Sequence, residues 1–75
     1  MARFTMEPNS KEGDATLDAL DEWIESGKAP PGVKDVRRKL ARSQEERRSQ
    51  VTFEGKEFDY ILRALIEESR ANYPY

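Results

Sequence analysis

Asp18, Asp21, Glu22 and Glu25 are the first residues in this chain whose types and spacing could do chemistry. Steps of three and four residues bring such carboxylates together on one side of a helix. Paired carboxyls can serve as general acid and base, but only where one is desolvated and its neighbour stays ionised. Nothing around them predicts a pocket, and the same residues read more simply as a solvated helix face. The 75 residues include no histidine and no cysteine. The commonest acid–base group and metal ligand is therefore missing, and no disulfide or thiolate site can form. There is no glycine-rich phosphate loop, nucleophile elbow or metal-ligand spacing. The expectation is a protein without enzymatic activity, catalytic residues, metal site or cofactor.

The basic residues are more concentrated. Lys34, Arg37, Arg38, Lys39, Arg42, Arg47 and Arg48 give residues 34–48 a net charge of +4, whereas residues 1–26 carry −5, within an overall charge of −2. Such a cluster could track phosphates. It lacks interleaved aromatic residues on which bases would stack, and an acidic neighbouring helix would also account for it. Nucleic-acid binding through Lys34, Arg38, Lys39, Arg42, Arg47 and Arg48 is thus kept as the alternative reading.

The only tryptophan, Trp23, lies on the last turn of an amphipathic stretch. It is either core or, where exposed, an anchor for a partner, since tryptophan is enriched at binding hot spots. The leading expectation is a protein-interaction module (an adaptor, regulator or inhibitor). Its contact would be Trp23, Val33, Val36 and Leu40, with Arg37 and its basic neighbours on the rim. The partner would be another protein or a second copy of the chain. A chain this short buries only about 60% of its surface, and a partner could complete the core.

These residues need elements to position them. Leu17, Leu20 and Ile24 form one helical face beside Trp23. Asp14 or Thr16 supplies an N-cap oxygen, and Gly27 supplies the left-handed stop. The expected helix covers 15–26. Pro30-Pro31-Gly32 makes a stiff corner, after which Val33, Val36 and Leu40 mark a second helix over 33–48. Residues 42–50 offer nothing to bury, and Ser43 with Glu46 has the spacing of a separate capping box. Val51 to Gly55 is either an extended lead, the preferred reading, or a small hairpin turning at Glu54-Gly55. Phe58, Ile61, Leu62, Leu65 and Ile66 define a third helix over 56–72. Residues 1–13, with Pro8, Asn9 and Gly13 and no periodicity, read as a flexible lead-in, although Phe4 and Met6 could tuck against the domain. Tyr73 and Tyr75 read as a frayed terminus. The fold expected is a mainly α, three-helix domain over 14–75 with a Gly/Pro corner between the first two helices.

Residues 17–36 also carry two resemblances. The run Leu17-x-x-Leu20-x-x-Trp23-Ile24-x-x-Gly27-Lys28-x-x-Pro31-Gly32-Val33-Lys34-x-Val36 resembles the small helix-turn-helix unit of peroxin-like proteins, without their Lys-Pro-Trp-Glu signature. That resemblance implies a protein-interaction module. The same run is similar to excisionase-type winged-helix proteins, in which a helix ending in Trp-Ile or Trp-Val leads into Pro-Pro and Val-Lys-Asp. That resemblance implies a helix facing DNA, where the outer carboxylates 18, 21, 22 and 25 would here repel phosphate. No apolar run approaches the ~20 residues of a membrane span. The opening residues contain no apolar signal core. The expected location is intracellular and cytoplasmic.

Overall fold

The computed structural model describes residues 3–72, with side chains to Ser69. Its elements run β1 (Arg3–Met6), α1 (Lys11–Glu25), α2 (Gly32–Glu45), β2 (Val51–Glu54) and α3 (Lys56–Asn72). The molecule is mainly helical, with three helices and a two-stranded antiparallel sheet. Tyr73 and Tyr75 lie outside the described residues.

The first helix begins a full turn earlier than its apolar stripe. Ser10, not Asp14 or Thr16, is the N-cap, and its hydroxyl accepts the Gly13 N–H at 3.1 Å. Thr16 is instead buried, donating to the Glu12 carbonyl at 2.7 Å. At the other end Gly27 adopts φ +79° and its N–H reaches the Ile24 carbonyl. The Ser26 hydroxyl donates to the Trp23 carbonyl and accepts the Lys28 N–H, and so replaces the outer bond of a Schellman end.

The second helix stops three residues short of expectation. Its end is a complete Schellman motif: Arg48 N–H donates to the Ser43 carbonyl and Arg47 N–H to the Gln44 carbonyl. The position that favours glycine is held by Arg47, at φ +54°. Ser43 starts no separate helical turn. It is buried inside α2 and donates to the Lys39 carbonyl at 2.9 Å. The 42–50 segment therefore does bury a residue, a polar one whose hydroxyl the helix itself satisfies.

The largest departure from expectation concerns residues 1–13. They are not a flexible lead-in over their described part, because Arg3–Met6 form β1. The strand pairs with β2 in the register Arg3↔Glu54, Phe4↔Phe53, Thr5↔Thr52 and Met6↔Val51. The folded unit therefore includes β1 and extends ahead of residue 14. Residues 51–54 are extended, as preferred, but their partner is the N-terminal strand and no local hairpin forms. Gly55, at φ +57°, turns the chain into α3. The segment between β1 and α1 is pinned too. Gln44 of α2 donates to the Pro8 carbonyl at 2.8 Å and to Asp14 Oδ1 at 3.0 Å. A Cβ at Gly13 would lie 2.2 Å from the Pro8 carbonyl oxygen, so glycine is what lets the chain pass so close to the helix.

The sheet alternates as a half-buried sheet should. Met6, Val51 and Phe53 are buried on its inner face, with Phe4 beside them. The outer face carries an Arg3–Glu54 ion pair at 3.0 Å and a Thr5–Thr52 hydroxyl contact at 3.0 Å. The core beneath is completed by Leu20 from α1, Val33, Val36 and Leu40 from α2, and Ile61 and Ala64 from α3.

Candidate interaction surfaces

The structure divides the expected partner contact. Val33, Val36 and Leu40 are 0%, 1% and 0% exposed, and they cannot touch a partner in the folded chain. The stripe that seemed spare is consumed by the non-local sheet: β1 brings Met6, and Val51 and Phe53 of β2 join the same core. Arg37 is likewise occupied, closing on Asp21 of α1 through Nε and more loosely through Nη2. That hydrogen bond, above all, holds the Arg37 guanidinium more strongly protonated than usual. The pair ties the basic second helix to the acidic first one.

Trp23 stays at the surface in part. It meets Tyr60 of α3 edge-on, with ring centroids 6.4 Å apart and planes inclined at 63°. The α3 stripe explains what surrounds it. Ile61 and Ala64 point inward, and helical spacing turns Leu62 and Ile66 outward on the side next to Trp23. These two are the exposed large hydrophobic residues of the described chain, at 44% and 49%. With Trp23, Pro30 and Tyr60 they line an open hollow of about 570 Å³ on the seam between α1 and α3. Lys28, Asp59 and Arg63 rim it, and Glu22, Glu67 and Glu68 continue the rim beside Trp23. The hollow's own rim has two bases and one acid; the adjoining hollow, which shares Trp23, Lys28 and Arg63, adds three glutamates, so the wider surface around Trp23 is net negative.

Pro30-Pro31-Gly32 brings the corner up to this seam. A Cβ at Gly32 would sit 2.8 Å from the Tyr60 ring, so glycine there allows the ring to rest over the start of α2. Leu62 and Ile66 were legible in the sequence as members of the α3 stripe. Their exposure was not, because the stripe is wider than the face that α1 and α2 cover.

The basic residues form a second, contrasting surface. Arg38, Lys39, Arg42 and Arg48 line a groove of about 460 Å³ between α2 and β2, together with Asp35, Ser43, Glu46, Gln50, Val51 and Thr52. Each of its four cations has an acidic partner. Arg38 meets Asp35 at 3.6 Å, Lys39 meets Glu57 at 3.1 Å, and Glu46 takes Arg48 at 2.8 Å and Arg42 at 3.9 Å. The hydrogen bond from Arg48 holds the Glu46 carboxyl below the usual carboxylate range. Lys39 also lies over the Phe53 ring, 5.0 Å from its centroid. Lys34 and Arg47 are exposed and form no ion pair among the described residues.

The acidic face of α1 gathers no pocket of its own. Asp21 is spent on Arg37, and Asp18 and Glu25 are exposed. Among the described residues no group of three or more Asp or Glu is placed to hold a metal ion, and no helix is long and apolar enough to cross a membrane. No protein-family model, curated protein or solved structure matches the chain.

Proposed function

We infer that the protein is a non-catalytic interaction module whose working surface is the α1–α3 seam around Trp23. One observation carries this reading. Leu62 and Ile66 stand half-exposed against Trp23 and Tyr60, in a chain whose other large apolar side chains among the described residues are at least partly covered. Tryptophan and tyrosine are enriched among the residues that anchor protein interfaces. An amphipathic helix lays its apolar face into an apolar hollow of this kind. The glutamates of the adjoining surface beside Trp23 favour a partner helix with basic flanks. A second copy would bring the same acids to the same rim, where like charges oppose association. An adaptor, regulator or inhibitor would work through such a face without chemistry of its own.

A lysine-flanked amphipathic leucine helix is the direct probe. Its titration shifts Trp23 emission to the blue and saturates, whereas the doubly substituted Leu62→Asp, Ile66→Asp chain shows no shift. Equal response from both chains, or none from either, removes the seam as the binding surface.

A further inference from the structure

The edge of β2 that faces α2 is an unfilled place in the sheet. In an antiparallel pair, residues alternate between those bonded to the partner strand and those whose N–H and C=O point away. The Glu54 N–H donates to the Glu57 carboxylate at 3.3 Å, on the side away from β1. A two-residue period then turns the backbone of Thr52 to that same outer edge. The Thr5 and Thr52 hydroxyls, 3.0 Å apart, agree with this, because facing side chains come closest at pairs that exchange no backbone bonds. Among the described residues, no third strand covers the edge, and no bond outside the strand pairing reaches the Thr52 backbone.

The groove of about 460 Å³ runs along that edge, with α2 as its far wall. The Lys39–Glu57 pair closes one end, where the Glu57 carboxylate already occupies the Glu54 N–H. The rest of the groove offers Thr52 and Gln50 on the strand side and the guanidinium groups of Arg38, Arg42 and Arg48 opposite. Asp35 and Glu46 hold those three cations through exposed contacts of 2.8–3.9 Å. Exposed pairs of this kind hold their partners only weakly. A ligand carboxylate can displace them, and three cations against two acids leave a positive balance.

We propose that the α2–β2 groove binds an extended acidic peptide, which adds to β2 as a third strand at Thr52 and Gln50 and places its carboxylates on Arg38, Arg42 and Arg48. Backbone bonds to the strand edge supply the docking geometry. Charge-assisted bonds to the guanidinium groups supply the preference for acidic side chains. A nucleic-acid strand fits the arrangement less well. It has no use for the strand-edge N–H and C=O, and no exposed aromatic residue lines the groove for its bases. This inference does not rest on the Trp23 seam, which lies on different elements.

The test is a titration of the full chain, labelled for amide chemical shifts, with three probes at low salt. The first is a peptide of alternating glutamate and valine. The second is the same peptide N-methylated along the edge that would face β2. The third is oligothymidylate. The first probe is expected to move the Thr52 and Gln50 amides and to bind roughly tenfold or more weakly to the Arg38→Gln, Arg42→Gln chain, as loss of charge-assisted bonds dictates. The methylated peptide is expected to bind far more weakly than its parent, and the Leu62→Asp, Ile66→Asp chain to bind the parent normally. Absence of binding by the first probe overturns the proposal, as does equal binding of the methylated peptide. Tighter binding of oligothymidylate than of either peptide also overturns it, and would make the groove a phosphate surface.

Discussion

The α1–α3 seam and the α2–β2 groove are two hollows of similar size on one small domain, built on opposite plans. The seam is apolar at its centre and charged at its rim, with Trp23, Tyr60, Leu62 and Ile66 ringed by Glu22, Lys28, Asp59, Arg63 and Glu67. The groove has charged side chains along its helix wall, with Ser43, Gln50, Val51 and Thr52 completing it, and Phe53 lies wholly buried beneath Lys39. The difference follows from which helix face the core uses. The core takes all of the α2 stripe, so no large apolar side chain of that helix remains outside. It takes only part of the α3 stripe, so Leu62 and Ile66 remain outside. A surface in so small a fold is what the core leaves over.

That comparison can be broken at its base. Phe53→Ala removes the ring under the groove together with the inner-face partner of Phe4. Such truncations cost about 3–5 kcal/mol, which is a large share of the stability of a domain this size. Urea unfolding should show that loss, and amide shifts at moderate urea should move first along β1 and β2. If the loss is small, the sheet is not what completes the core.

A smaller change sharpens the contrast between the two helix ends. Gly27 and Arg47 hold equivalent left-handed positions, but only the first is the residue the backbone prefers. Arg47→Gly relieves a strain of about 1–2 kcal/mol and gives back about 0.4–1 kcal/mol through the freer unfolded chain. A net gain of roughly 0.5–1 kcal/mol in unfolding free energy is expected from those two terms. A loss would mean that the left-handed conformation at Arg47 is not strained.

Gly32→Ala probes the seam with almost no change in stability. The new Cβ displaces the Tyr60 ring, a movable side-chain end, while alanine raises helix propensity by up to about 1 kcal/mol. The two effects nearly cancel in the unfolding midpoint. The near-ultraviolet dichroism of Trp23 changes nonetheless, because its edge contact with Tyr60 is lost. An unchanged spectrum would mean that Tyr60 does not set the Trp23 environment.

Much of the helical framework was legible in the residues. Gly27 and the Pro-Pro-Gly corner fixed the α1–α2 join, and Leu17, Leu20 and Ile24 gave the first helix its face. The sheet was not legible, for a physical reason. Phe4 and Met6 alternate over only four residues, too few to register as periodicity, and their partners Phe53 and Val51 lie far along the chain. With the strand unseen, the α2 stripe looked unpartnered, and Val33, Val36 and Leu40 passed for a contact surface. Trp23 was singled out as a residue whose exposure decides its role, and it is half-buried. Its true neighbours, Tyr60, Leu62 and Ile66, come from a helix that sequence alone could not orient.

The seam's availability to a foreign helix is the central claim, and sedimentation equilibrium of the purified chain, read with Trp23 emission, tests it most directly. The account predicts one species of monomer mass at every loading concentration, with emission of a partly exposed tryptophan. A concentration-dependent dimer whose emission moves to the blue as it forms, and which the Leu62→Asp, Ile66→Asp substitutions abolish, would contradict it. The seam would then be filled by the chain's own copy.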